Sequence, residues 1–197
     1  MHILLIHQAF ASINEPGGTR HYEFAKYLVK KGHQVTVIAS PISYLTGKGQ
    51  QQTDEWLDGI RILRAYTYDA LHKSFVDRVY SFISFMISSF LLGYKVKDVD
   101  IVWGTSPPIF QGVTALVLAR VKRAKFFFEV RDLWPDFAIA VGVLRSPILI
   151  KASFWLERFL YKHSDQMMVN SPAYVPHVLS RGCKKVELVP NGAGLDM

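Results

Sequence analysis

Short apolar runs and longer amphipathic stretches alternate along this chain almost from end to end. The opening run "ILLI" reads as a strand. In "HYEFAKYLVKKG" Tyr22, Ala25, Leu28 and Val29 fall on one helical face, lysines gather at the C-terminal end and Gly32 marks the stop. "QVTVIA" predicts a second strand, "IRILRAY" a third, "VDIVWG" a fourth and "KFFFEV" a fifth. Between the last two, "IFQGVTALVLARVKRA" predicts a helix that begins just after Pro107 and Pro108. Ser146 and Pro147 give the N-cap and N1 signature of a helix through "ILIKASFWLERFLYKH". "QMMVN" is strand-like again, Pro172 and Gly182 bracket a short helix, and "KVELVP" predicts a final strand. This alternation implies an α/β fold, a mostly parallel sheet with helices on both faces.

At 197 residues the chain is long enough for one domain with a substantial core. Lysine and arginine number 23 against 16 aspartates and glutamates, a net charge of +7 that favours phosphates, nucleotides or an anionic lipid surface as partners. No arginine-rich run, zinc-ligand spacing or RNA-binding signature accompanies the surplus, so no nucleic acid partner is expected. The single cysteine, Cys183, excludes an internal disulfide framework and fits a reducing cytoplasm. "MHILLIHQAF" has no basic segment ahead of its apolar run and no small-residue cleavage site, and it reads as a strand and not a signal peptide.

In parallel sheets ligands bind outside the carboxyl ends of the strands. His7, Gly17 and Gly18 follow the first strand, Thr105 and Ser106 the fourth, Arg131, Asp132 and Trp134 the fifth, and Asn170 and Ser171 the next. "EPGGTR" places two glycines just before a helix, where they either let an anion approach the free N–H groups of its first turn or simply make a tight turn. The spacing does not match the dinucleotide pattern G-x-G-x-x-G. "FEVRDLWPD" concentrates Glu129, Arg131, Asp132 and Asp136 around a Trp-Pro turn: a carboxylate there could take a hydroxyl proton and Arg131 could fork an anion, or Arg131 and Asp132 form an internal ion pair or a helix cap. No second cluster of histidine or cysteine supports a metal, and no G-x-S-x-G elbow supports a serine hydrolase. Glu15 reads as a loop charge and Glu23 as a solvated helix residue.

The stretch from Val79 to Tyr94 carries no charge, yet as a helix it would span only about 24 Å against a hydrocarbon core of about 30 Å. Ser81, Ser84 and Ser88 form a weak polar stripe, and Arg78, Lys95 and Lys97 flank the apolar body. Three placements fit: buried in the domain, lying in a membrane interface, or spanning it. The interfacial placement makes Arg78, Phe85, Phe90, Lys95 and Lys97 the docking residues.

Four features in this order resemble the N-terminal domain of family 4 glycosyltransferases: G-G-x-R opening the first helix, "KGHQVTVIAS", "EVRDLWPD", and "VPNGAGLDM" at the end. The resemblance covers essentially the whole chain, and the Arg-Asp-Leu-Trp-Pro variant is similar to bacterial transferases of surface-polysaccharide and lipopolysaccharide synthesis, including N-acetylfucosamine transferases. It implies one half of a GT-B fold, a Rossmann-like acceptor-side domain spanning residues 1–197 whose donor-binding partner domain lies outside this sequence. It also implies retaining transfer of a hexosyl or N-acetylhexosaminyl group from a nucleotide-diphosphate sugar to a lipid-linked or polysaccharide acceptor, with the nucleotide sugar as co-substrate, no cofactor and no obligatory metal. Gly17, Gly18 and Arg20 are then expected at the donor diphosphate, His7, Glu129, Trp134 and Ser171 at the acceptor, and Arg131 and Asp132 in catalysis. Many relatives carry His-Asp where this chain has Arg131-Asp132. The expected location is cytoplasmic, peripheral on the inner face of the cell membrane. A different GT-B sugar-nucleotide enzyme such as an epimerase, or a catalytically silent membrane-docking module, are the competing functions.

Overall fold

The computed structural model describes residues 1–192 apart from 14, 44, 48, 50, 51, 71 and 72; the end of the "VPNGAGLDM" motif, 193–197, lies outside the described residues. Eight strands form one sheet: β1 (His2–Ile6), β2 (Gln34–Ala39), β3 (Asp54–Leu57), β4 (Ile60–Arg64), β5 (Ile101–Ser106), β6 (Lys125–Val130), β7 (Gln166–Val169) and β8 (Val186–Leu188). Six helices accompany them: α1 (Arg20–Lys30), α2 (Phe75–Lys95), α3 (Phe110–Lys122), α4 (Asp136–Ala140), α5 (Pro147–His163) and α6 (Tyr174–Ser180). The spatial order is β3-β4-β2-β1-β5-β6-β7-β8, and every pairing is parallel except β3 with β4.

Side-chain alternation divides the central strands between two cores. Leu4 and Ile6 point into one and Ile3 and Leu5 into the other, as the two-residue period of a strand requires. The first core is closed by α2, α3, α5 and α6 through Phe85, Leu118, Leu160 and Val178; the second is closed by α1 through Tyr22 and Ala25. Burial on both faces explains why these strands read as unbroken apolar runs.

The chain winds outward from β1 in one direction and from β5 in the other, so the loops after these two neighbours diverge and leave a crevice at the carboxyl edge. Three features differ from the sequence expectation. A hairpin adds β3, turning at Asp58 (φ 49°) and Gly59 (φ 79°), the two positive dihedrals of a type I′ turn. A short helix, α4, follows the Trp-Pro turn. Finally, α2 is longer than the charge-free run: Ser74 and Asp77 form a reciprocal capping box, and 21 residues give a length of about 31 Å.

Candidate functional site

At the carboxyl edge, between the segments that follow β1, β2 and β6, lies a cleft of about 280 Å³, lined by Gln8, Gly17, Gly18, Ser43, Arg64 and Arg131 among others. From Gln8 on its wall a polar chain runs into the protein along the ends of β1, β5 and β6. The Gln111 amide, on the first turn of α3, donates to Thr105 Oγ1 at 2.7 Å and accepts from the Gln8 backbone N–H at 2.8 Å. His7 Nδ1 lies 2.9 Å from the same threonine oxygen. The His7 ring packs on His21, centroids 4.0 Å apart. His21 Nε2 donates to Glu129 Oε2 at 2.6 Å, and Arg20 Nε donates to Glu129 Oε1 at 3.0 Å.

Burial dominates the electrostatics. It pulls the His7 imidazole well below its ordinary pKa, helped by the proximity of His21 and Arg131. Burial also pulls His21 down, against the hydrogen bond and charge of Glu129. For Glu129 burial pushes upward, but the hydrogen bonds and charges of His21 and Arg20 outweigh it and hold the carboxyl below the usual range. Arg131 is different. Its guanidinium is lowered by burial; among the described residues its buried Nε has no hydrogen-bond partner, and Nη2 donates to the Pro107 carbonyl at 3.5 Å. Among the described residues it forms no salt bridge, so the internal Arg131–Asp132 pair is not made; Asp132 is exposed.

The glycine pair divides in role. Gly17 has φ 152°, and a Cβ there would sit 2.7 Å from the Ala11 Cβ, so the fold itself requires this glycine. Gly18 faces open space with nothing within 4 Å, and α1 behind it follows the N-cap position Thr19, which makes no side-chain cap to its free N–H groups. Arg131 lines the same cleft as the pair.

Several expected site residues are placed elsewhere. Glu129 is fully buried with both oxygens engaged, so it holds Arg20 and His21 and does not face an acceptor. Arg20 spends its other nitrogens on the carbonyls of Val189 and Pro190, at 2.7 and 2.9 Å, which leaves it a clasp and not a free phosphate ligand. His7 is sealed beneath the cleft; Trp134 is half-buried against the core, and Ser171 is half-exposed at the edge beyond β7. Phe85 is 1% exposed and inside the core, so it touches no lipid; Phe90 packs partly against the same core, while Arg78, Lys95 and Lys97 are exposed. Glu23 is exposed as expected.

His21, Thr105's partner Gln111, and Arg64 were not singled out by sequence. Arg64 is 6% exposed and donates to Glu15 and Glu55 at 3.1 and 2.7 Å, so Glu15 is no free loop charge but an anchor of the glycine loop. A second polar cluster joins α4, α5 and α6: Asp136, Glu157 and His177 bring ligand atoms within 4.8 Å of one another. His177 lies 2.9 Å and Arg181 3.4 Å from the buried Glu157 carboxylate, so a hydrogen bond from the imidazole and the arginine's charge make the cluster a staple between helices.

A family model described as the glycosyl transferase 4-like domain matches residues 17–192. The chain belongs to this family. Solved structures agree in fold. Sucrose-phosphate synthase from Thermosynechococcus elongatus superposes with a TM-score of 0.67 at 16% identity, over 98% of this chain and 49% of that one. The Anabaena protein HepE, solved with UDP and glucose, gives 0.57 at 11% identity over 98% and 45%. Arabidopsis thaliana UGT89C1, solved with UDP, gives 0.58 at 14% identity over 99% and 50%. The glycosyl transferase 4-like chain thus spans about half the length of these neighbours and has the architecture of one half of a GT-B fold. No curated protein sequence matches it.

Proposed function

We propose that the chain is the N-terminal, acceptor-side half of a retaining glycosyltransferase. In this reading the enzyme moves a hexosyl or N-acetylhexosaminyl group from a nucleotide-diphosphate sugar to a lipid-linked or polysaccharide acceptor in cell-surface glycan synthesis. The observation that carries the reading is Arg131: a part-buried cation with an unpartnered Nε, on the wall of the cleft that also holds the open Gly18 and the uncapped first turn of α1. An anion there would gain a charge-assisted hydrogen bond and the positive end of a helix dipole. Charge grows on the diphosphate as the glycosidic bond breaks, so donors fixed at that point stabilise the transition state more than the ground state. The reading calls for no metal, since a guanidinium and backbone N–H groups supply the positive potential. Asp132, exposed beside it, is the carboxylate available to an acceptor hydroxyl, with Trp134 and Ser171 on the same edge.

The UDP complexes of HepE and UGT89C1 support a nucleotide-sugar partner. The test is transfer of radiolabel from UDP- and GDP-sugars to lipid and polysaccharide fractions by the enzyme that carries this domain. Arg131→Gln should lower kcat by about a hundredfold, the usual cost of one such donor. Unchanged transfer by that variant would move the donor phosphates away from this cleft.

A further inference from the structure

We infer that the outer surface of the α2–α3–α5 layer is a docking face for an anionic lipid bilayer, on which the protein lies without crossing it. This surface does not depend on the sugar-transfer reading.

Helix α2 is polar on the wrong side for a helix packed between a sheet and water. A surface helix ordinarily turns its apolar stripe inward and its polar stripe outward. Here the serines face the protein. Ser81 accepts from Gln8 Nε2 at 3.3 Å, Ser84 accepts from the Tyr68 N–H at 2.8 Å, Ser88 donates to the Tyr66 carbonyl at 2.5 Å, and Ser89 is fully buried. Outward stand Tyr80, Ile87, Leu91 and Tyr94, spaced i, i+7, i+11 and i+14 on one stripe and each more than half exposed. Helix α5 continues the pattern with Trp155 stacked on Phe159, ring centroids 5.3 Å apart. Of the large apolar side chains exposed among the described residues, half lie on α2, α3 and α5.

The three helices are one layer. Thr114 of α3 donates to the Met86 carbonyl of α2 at 3.1 Å, and Arg120 of α3 donates to the His163 carbonyl at the end of α5 at 3.2 Å.

Charge chooses the occupant. Arg78, Lys95, Arg120, Lys151, Arg158 and Lys162 are exposed on these helices, whereas their acids are Asp77, tied up in the capping box, and Glu157, fully buried. Between the cations, a shallow hollow on α5 is lined by Lys151, Phe154, Trp155, Arg158 and Arg181, with no acid. Protein interfaces deplete lysine at their cores. Cations interleaved with aromatic and aliphatic side chains across a broad surface instead match the headgroup and upper acyl region of an anionic leaflet. Helix α2 is apolar and long enough to cross a bilayer by length and composition, yet its inner serines and buried Phe85 fasten it to the sheet, which keeps it on the surface. The Gln8–Ser81 hydrogen bond ties this helix directly to the cleft wall.

The test is co-sedimentation of the 197-residue chain with vesicles of phosphatidylcholine alone and with about one third phosphatidylglycerol, without donor or acceptor, at about 0.1 M and about 0.5 M salt. Binding should appear on the anionic vesicles and fall at least tenfold at high salt, without phosphatidylglycerol, in Ile87→Glu/Leu91→Glu, and in Lys151→Glu/Arg158→Glu. Circular dichroism and the melting temperature should be unchanged. Quenching by lipid brominated near the headgroup, lost in Trp155→Phe, reads the contact without a disruptive substitution. Equal binding to neutral and anionic vesicles, no effect of either double variant, or resistance to carbonate extraction would overturn the inference. So would a wild-type dimer that Ile87→Glu/Leu91→Glu disperses, with no vesicle binding, because the face would then be covered by a second copy.

Discussion

His21 and Glu129 meet across 2.6 Å with both side chains sealed from water, although 108 positions separate them. The pair pins the first turn of α1 to the end of β6. Its carboxylate carries a negative charge in the interior, and the charge is tolerated because Arg20 takes the second oxygen. Glu129→Ala should therefore cost about 3 kcal/mol or more, since it leaves a part-buried guanidinium without its counter-charge. Urea unfolding measures the loss; a change below about 1 kcal/mol would show that the pair is not needed for α1 to dock.

Asp132 provides the contrast. It is exposed, and Asp132→Asn should leave stability within about 0.5 kcal/mol while lowering transfer by the enzyme. A stability loss with normal specific activity would assign the carboxylate to the fold.

Stability should fall with acid before ordinary carboxylates titrate. His7 and His21 both have folded values below 6.5, chiefly through burial. The unfolded chain takes up protons below that pH and the folded chain does not, so stability is complete above it and declines as pH drops, by up to about 1.4 kcal/mol per pH unit for each ring. Glu129 acts in the same sense at lower pH: its folded value is depressed, so its contribution is present above 4.5 and is lost as pH falls through the folded value. Urea midpoints between about pH 5 and pH 7.5 give the slope. His7→Gln should remove about half of it; an unchanged slope would mean that His7 takes up protons alike in the folded and unfolded chain.

The two glycines of the loop should separate stability from activity. Gly17→Ala meets Ala11 and keeps an unfavourable φ, at a cost of about 1–3 kcal/mol. Gly18→Val meets nothing in the protein and should leave the melting temperature unchanged, yet its branched side chain stands in the approach to the cleft and should lower kcat/KM about a hundredfold. Normal turnover by Gly18→Val would mean that no substrate passes that point.

The hairpin offers a further check on the sheet. At Gly59 φ is 79°, and a Cβ would lie 2.8 Å from Val29 Cγ1 on α1. Gly59→Ala should cost about 1–2 kcal/mol, whereas Asp58→Asn, which suits the same turn, should cost less than about 0.5 kcal/mol, both read by thermal melting.

The parallel core was legible because each buried strand is an apolar run bracketed by turn residues, and its loops brought Gly18, Arg131 and Asp132 to one edge. The hairpin was not read from its apolar content: "DEWL" sets two acids before two apolar residues at a sheet edge, without the alternation that marks a strand, and only the Asp58-Gly59 dipeptide signalled it. The first turn of α2 was hidden in the same way, since Ser74-x-x-Asp77 marks the start while the charge-free run begins five residues later. The site's interior was the least legible part. Nothing local distinguishes His21 from a surface histidine, or Arg20 from a phosphate ligand, because their partners at 129, 189 and 190 are set by the tertiary fold. For α2, periodicity located the serine stripe but not which side of the helix the protein would cover.

The reversed strand β3 also limits how large the sheet can become. A strand on the rim exposes a row of unpaired amide and carbonyl groups, an invitation to any extended segment from another molecule. Here the rim is four residues long and begins with two neighbouring acids, Asp54 and Glu55, which an incoming backbone would have to approach. Their partners, Arg61 and Arg64, sit on the next strand inward, so the arginines brace the rim from behind without masking the acids from that approach. The sheet is thereby kept finite at that end, which protects the chain from fibrous stacking where molecules are concentrated.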